Sequence, residues 1–576
     1  MNSIYKKSLR KALSLMAVAA MGVGAMTLTG CDDFLDEPVQ GNVTDKNYFD
    51  TYYKLQSALN ATYDILQSDA IQDSDWRFGE ATADVMRCTD EGLSSQMGQL
   101  INFTFNTSNT LILNRWNIYY EAVHRANQVI YNIDRCRLAD NTTDTYRRIR
   151  YVYGQAKFLR AWFYFNLVRT FGGVPIRPEE EVVSQTVIPR SSLEECYAYI
   201  EKDLREAAIM LPPRFNLGES GKVGSGAAVA LLMKVLLQQT TPGVPSEKWD
   251  EIVKLGEYFV DGKSYTFDDI LHFSKNYKDI TWPELRRKLW FKPVEAFQET
   301  DYEETLQEPC LPLANAYSYE FKDRNGNPIR YDEQWYSQGE FCKGSIFEIN
   351  FQESGDGTSG DSNEGTNIWT SMYSVAGNRS TPVLYVTDKL RQVMFEGKDP
   401  RDRYMTSQEM TMFDGALVWF GNHSPFKYYT PVADLPVRND DNAKNRRVLR
   451  FVEVALTYAE ALNETGNPQK ALVTLNNWEK VRNTINNSTT LTVAGGYGYL
   501  RDKIWMERQR ELAYEWERFY DIVRQGRAAE CIHNFASEYV NSGRGQYFRK
   551  GINEIFPIPQ TEIDVSNGVV TQNPGY

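Results

Sequence analysis

Glu507, Glu511 and Glu515 recur at intervals of four residues, a spacing that puts three carboxylates on one face of a helix. Two such groups, one acid and one base or nucleophile, are the equipment of a glycosidase. Here, however, they interleave with Arg508, Arg510 and Arg518 at helical spacing. That alternation is how ion ladders on helices are written, so the spacing favours structural support over catalysis. A second acidic group, Asp356, Asp361 and Glu364 in the Gly355–Gly365 loop, could hold a hard cation. It lacks the spacing of an EF-hand, and a solvated loop is the favoured reading. No G-x-S-x-G, H-E-x-x-H or phosphate-binding glycine loop occurs. Neither a cofactor nor a metal is expected: His124, His272, His423 and His533 stand apart from one another, and the one close His/Cys pair, Cys531 and His533, has no second His or Cys beside it. What remains is aromatic. Trp335, Trp369 and Trp419 fall outside any helical stripe that would bury them, and an exposed ring is a stacking surface for a sugar.

These groups must be held by a frame, and the frame reads as helical. Tyr48, Tyr52, Leu55, Leu59, Tyr63 and Leu66 share one face, as do Trp116, Tyr120, Val123, Asn127 and Ile130. Ile149, Val152, Ala156, Leu159, Phe163 and Leu167 form a third stripe, which Phe171-Gly172-Gly173-Val174-Pro175 must end. Further helices are expected over Leu193–Met210 and Ala227–Gln239. A helix over Val452–Leu462 stops near Gly466, and Asn467-Pro468 supply an N-cap and first residue for the next, running through Val481. Leu512, Trp516, Phe519 and Val523 mark one more amphipathic helix. Helix-turn-helix units of this kind build tetratricopeptide-type arrays, although no strict 34-residue period is present. Between 265 and 445 the pattern breaks into Gly, Pro, Asn and Asp clusters, mostly loop, with Ser345–Phe351 as a strand. Long irregular insertions in a helical frame tend to carry function.

Composition sets outer limits. At 576 residues, 42% hydrophobic and 24% charged, the chain is neither disordered nor a polytopic membrane protein. Its net charge of −13 argues against nucleic acid, which calls for a basic face. Lys6, Lys7, Arg10 and Lys11 precede a charge-free apolar run, Ala12–Leu28, ending in Leu28-Thr29-Gly30-Cys31. This end resembles the lipobox of bacterial lipoproteins, in which the chain is cut before an acylated cysteine; an uncleaved anchor helix is the competing reading. Losing those four cations takes the net charge to −17. Asp32, Asp33, Asp36 and Glu37 then form an acidic tether, which also looks like the surface-export signal of Bacteroidetes lipoproteins. The six remaining cysteines, Cys88, Cys136, Cys196, Cys310, Cys342 and Cys531, show no pairing pattern, and buried thiols are expected.

Several blocks together resemble the SusD/RagB family of outer-membrane nutrient-uptake lipoproteins. They are Phe34-Leu35-Asp36 with Glu37-Pro38, Trp76–Asp84 as a second-helix start, Trp116–Asp134, Leu159–Tyr164 followed by Gly172–Pro175, and Ser345–Phe351. Asp399-Pro400-Arg401, Tyr458–Ala461, Glu517–Asp521, Phe556–Pro559 and the ending Gln572–Tyr576 complete the set in the family's order. The resemblance implies a mainly α SusD-like fold: tetratricopeptide-like repeats with an irregular, loop-rich capping region containing short strands. It divides the chain into a signal peptide (1–30), a tether (31–45), an N-terminal helical region (46–260) and a C-terminal region (265–576). Within the last, 265–445 would be a ligand-binding cap and 446–576 would complete the frame.

The implied activity is non-catalytic capture of oligosaccharide or polysaccharide at the cell surface. The partners would be the glycan, the outer membrane through lipid on Cys31, and a SusC-like TonB-dependent transporter. A peptide-capturing member, a glycoside hydrolase and a periplasmic scaffold are the alternatives. Family sites lie in loops after the second helix and in the cap, here Asp75, Trp76 and Arg77, the loop Asp90–Gln99, and the segment Tyr331–Tyr373. Trp335 with Tyr336, and Trp369 with Tyr373, are the stacking candidates, with Arg77, Gln334 and Asn367 as polar groups; core packing competes for each ring.

Overall fold

The computed structural model describes residues 48–576 apart from 89–91, 140–142, 180–186, 216–220, 272–312, 352–383, 397–398, 400, 402–405, 412–416, 426, 428–442, 484–495 and 539–544. The expected signal peptide and tether with Cys31, Cys310 and the acidic 355–365 loop lie outside the described residues, as do Asn367, Trp369 and Tyr373. Residues 49–576 cluster as one compact unit.

Helices dominate, as expected. In order they are α1 (Tyr52–Asp64), α2 (Asp69–Trp76), α3 (Gln96–Asn102), α4 (Thr110–Ala139), α5 (Thr143–Phe171), α6 (Leu193–Met210), α7 (Ser225–Gln238) and α8 (Glu247–Val260). After the irregular stretch come α9 (Asp388–Glu396), α10 (Phe451–Glu464), α11 (Pro468–Asn483), α12 (Gly496–Leu512), α13 (Arg518–Arg524) and α14 (Ala528–Glu538). Each from α4 to α7 packs on its successor, α8 packs on α10, and α10 packs on α11 and α12. Such a succession buries stripes that no single helix could bury alone.

Local chemistry sets the boundaries. A capping box between Ser192 and Glu195 starts α6. Every residue of α7 from Ser225 to Leu237 is buried, so this nearly uncharged helix is the centre of the stack. The α8–α10 crossing depends on Gly256: a Cβ there would lie 2.3 Å from the ring of Tyr458. The turn that ends α5 receives the chain terminus. Asn573 Nδ2 donates to the carbonyls of Phe171 and Phe556, at 2.9 and 2.7 Å, and Arg190 donates to Asn573 Oδ1 at 2.6 Å. Two of the most distinctive sequence blocks, the Phe171–Pro175 turn and the Gln572–Tyr576 ending, are thus one piece of structure.

Two expectations need correction. Trp76 ends α2 rather than opening a helix; Arg77–Ala81 continue as a turn of π-helix. Nor do Leu512, Trp516, Phe519 and Val523 share one helix. The chain breaks between α12 and α13, where Tyr514 and Trp516 take φ of 67° and 68°. Tertiary contacts hold this strained corner: Tyr514 N–H donates to Glu80 Oε1 at 2.7 Å, and the Arg446 guanidinium lies 3.4 Å from the centre of the Trp516 ring.

Among the described residues six strands form three antiparallel pairs. β1 (Met86–Cys88) pairs with β3 (Leu384–Val386), β2 (Ser345–Ile349) with β6 (Arg446–Arg450), and β4 (Thr406–Thr411) with β5 (Leu417–Pro425). The 265–445 stretch therefore holds more regular structure than its composition announces. Cys88, Cys136, Cys196, Cys342 and Cys531 are buried and form no disulfide with one another.

Candidate functional site

The residues singled out from the sequence divide by burial. Asp75 and Trp76 are 3% and 2% exposed. Burial pushes the Asp75 carboxyl up, yet Arg446 and Arg115, at 2.9 and 3.1 Å, outweigh it and hold the group below the ordinary range. The Tyr119 hydroxyl also donates to it. Trp76 donates its indole N–H to Asp73 at 3.1 Å, and Arg77 pairs with the same carboxylate at 2.9 Å while lying over the Trp76 ring. Arg77 itself is half-buried. Asp75 and Trp76 are therefore joints of the frame and offer no open face to a sugar.

Gln334 and Trp335 are equally enclosed, each 6% exposed. Gln334 donates to the Tyr331 carbonyl, and Lys427 Nζ and the Arg450 guanidinium lie 4.4 and 4.7 Å from the centre of the Trp335 ring. Trp335 lies outside any helical stripe that would bury it, and Lys427 together with Arg450 of β6 covers it instead. Tyr336, half-buried, donates its hydroxyl to Asp332. Of the six described residues named singly, Arg77 and Tyr336 thus reach solvent; in the Asp90–Gln99 loop, Gly92, Leu93, Ser94 and Gln96 are exposed.

The carboxylate row has a structural explanation, with partners different from those the spacing implied. Arg401 donates to Glu507 and Glu511 at 2.9 and 2.7 Å and to Asp399 at 2.7 Å. Trp478 and Tyr331 complete the shells of Glu507 and Glu511, at 2.8 and 2.9 Å. Arg450 donates to Glu515 at 2.8 Å, and Lys427 Nζ donates to Glu515 and to the carbonyls of Glu511 and Ala513. Arg508 and Arg518 turn instead to Asp521 and Asp84. The row is a rail at the end of α12 to which Asp399–Arg401, Lys427 and β6 are fastened. Buried ions in such a network are held by mutual pairing, and removing one strands the rest.

An open cleft lies elsewhere among the described residues, between α1 with the turn after it and the end of β2. This cleft has a volume of about 270 Å³. Gln56, Asn60, Tyr63 and Gln67 form one wall, and Lys222 and Asn350 stand on the other. The Tyr63 hydroxyl is fixed inward, donating to Gln155 Oε1 at 2.9 Å and accepting from Val223 N–H at 3.1 Å, while the residue as a whole stays half-buried. Gln67 donates to the Asn350 carbonyl and bridges the two walls. At Gly221, with φ of +96°, a Cβ would fall 2.0 Å from Asn350 Nδ2, so only glycine leaves that amide in place. None of these positions was singled out from the sequence as a binding residue, and Tyr63 was read only as a member of the first helical stripe. The usable signal was Gln56, Asn60 and Gln67 recurring at helical spacing beside Tyr63.

Chemically, the cleft is a set of amides around one anchored ring. Known proteins give this arrangement a context. Residues 33–237 match the family described as starch-binding associating with outer membrane, and residues 369–576 match the SusD family itself. The chain belongs to the SusD family. Among SusD family relatives, SusD-like protein P2 of Formosa agariphila is 24% identical over 96% of this chain and 98% of its own. A SusD homolog from Bacteroides thetaiotaomicron superposes with a TM-score of 0.70 at 19% identity, covering 92% of this chain and 98% of that one. Surface glycan-binding protein A of Bacteroides thetaiotaomicron, solved in complex with laminarihexaose, gives 0.63 at 18% identity, covering 90% and 99%. Among the described residues no helix is long and apolar enough to cross a membrane.

Proposed function

We propose that this protein captures oligosaccharide at the outer surface of the cell and passes it, chemically unchanged, to a SusC-like TonB-dependent transporter. Lipid on Cys31 holds it at the outer membrane. The observation that carries this reading is full-length similarity within the SusD family, which includes a structure solved around a bound hexasaccharide of laminarin. The state of the carboxylates supports a non-catalytic role. Glu507, Glu511 and Glu515 are each committed to buried cations, and a glycosidase needs two that are free to exchange protons with a substrate. The acidic mature chain suits neutral ligands. Purified protein run through gels containing neutral polysaccharides, laminarin among them, should be retarded by at least one and should release no new reducing ends from any. Retention by none, or release of reducing ends, refutes the proposal.

A further inference from the structure

We infer that the cleft between α1 and β2 is a subsite for one uncharged pyranose ring of the captured oligosaccharide. This inference rests on the glycan-capture reading and assigns it a place, of which only the Glu348–Asn350 side falls within the Tyr331–Tyr373 segment the family resemblance pointed to.

Size is the first argument. About 270 Å³ falls just below the ~300–1,000 Å³ of pockets that enclose a drug-sized molecule, so the cleft fits one ring of a chain that continues outside. Its lining is the second. A pyranose presents an apolar ring edge and a fringe of hydroxyls, each both donor and acceptor. Carboxamides are the matching side chains because each carries both functions without charge, and Gln56, Asn60, Gln67 and Asn350 supply four. Two of them are pre-set: Gln56 donates to Asn60 Oδ1 at 2.9 Å, and Asn350 Oδ1 accepts from Asn445 Nδ2 at 3.4 Å. Tyr63 adds an apolar surface whose orientation is fixed by its two hydroxyl bonds, so little freedom is lost when a ring packs on it.

Charge decides the class. Glu348 is buried at the back, its carboxylate occupied by Phe341 N–H at 2.8 Å and Asn445 Nδ2 at 3.1 Å, and Asp64 stands exposed at the rim. Lys222 is the single cation among the described residues of the lining. Glu348 and Asp64 are each paired already, with Arg447 and Arg125 at 3.7 Å, so a uronate or sulfate entering here would be answered by Lys222 and opposed by a chain already strongly acidic. An uncharged ring meets no such opposition.

The test is calorimetric titration of the full-length protein in detergent with neutral gluco-, galacto- and manno-oligosaccharides, and with oligogalacturonate. The variants are Gln56→Ala/Asn60→Ala, Gly221→Ala and Lys222→Met. The first pair lies on the outer face of α1, where alanine favours the helix, so folding is preserved. We expect binding of a neutral oligosaccharide, weakened about tenfold or more by the double variant through lost hydrogen bonds. Gly221→Ala, which displaces Asn350, should weaken it similarly, and Lys222→Met by less than about threefold. Neutral binding that survives Gln56→Ala/Asn60→Ala and Gly221→Ala within about twofold overturns the subsite and leaves glycan capture standing. Tighter binding of oligogalacturonate overturns the class of ligand. Binding of no oligosaccharide by the unaltered protein overturns the capture reading together with the subsite.

Discussion

Glu80 offers the sharpest physical test of the frame. It is 0% exposed in the π turn after α2, and one oxygen accepts the Tyr514 N–H at 2.7 Å. Burial pushes its carboxyl from the ordinary 4.5 up to about 8, against partial relief from that N–H and from Lys427 and Arg518. The folded chain therefore keeps a proton that the unfolded chain releases from about pH 4.5 upward. Because the folded state binds more protons in this window, stability must fall as pH rises from about 4.5 to about 8 and level off beyond. Each pH unit inside the window costs about 1.4 kcal/mol, so between about pH 5 and about pH 8.5 the loss is about 4 kcal/mol. Glu80→Gln removes the titration but keeps an oxygen for Tyr514. Urea unfolding of both proteins, followed by tryptophan fluorescence, should show them within about 1 kcal/mol at about pH 5, with the variant more stable by about 4 kcal/mol at about pH 8.5. A difference that stays constant with pH refutes the reasoning. So does a variant that becomes the weaker protein at alkaline pH, since Glu80 would then be an ionised partner of Arg518 and Lys427.

Two further substitutions separate frame from site. Arg401→Met strands Asp399, Glu507 and Glu511 without their shared cation, and should cost about 3–5 kcal/mol in urea unfolding; pairing it with Glu507→Gln should recover part of that loss, which a purely local packing defect would not. Trp335→Ala should lose about 3–5 kcal/mol of stability, while oligosaccharide affinity measured well below the unfolding transition changes by less than about twofold, because the ring lies beneath Lys427 and Arg450 and is not open to ligand.

Why some of this could be read from the sequence and some could not follows from the range of the interactions involved. The boundaries of α5, α6 and α11 are set within a few residues, by Gly172-Gly173 with Pro175, by Ser192 with Glu195, and by Asn467-Pro468. Such signals sit in the local sequence, and the stripes between them have a period that only one conformation satisfies. The break before α13 is different. Nothing near Tyr514 and Trp516 forbids helix; the left-handed turn exists because Glu80 and Arg446, both remote in sequence, hold it. Aromatic rings show the same division. Trp116 declares its burial through its helical neighbours, whereas Trp335 is buried by Lys427 and Arg450, which no periodicity associates with it.

The cleft was hidden for a related reason, and here range bears on function. Gln56 and Asn60 look like ordinary solvent-facing positions of an amphipathic helix, and they become a wall only because Gly221 and Asn350 arrive opposite them from distant parts of the chain. A binding surface assembled this way depends on the frame being rigid. The bond between Gln67 and the Asn350 backbone ties α1 to β2, β2 is paired to β6, and β6 is fastened through Arg450 to the rail at the end of α12. Each link is a hydrogen bond or ion pair between buried or half-buried groups, so the opposing amides are set before a ligand arrives. The buried carboxylates that first suggested catalysis thus have a different task. They hold in register the strands that carry one wall of the cleft.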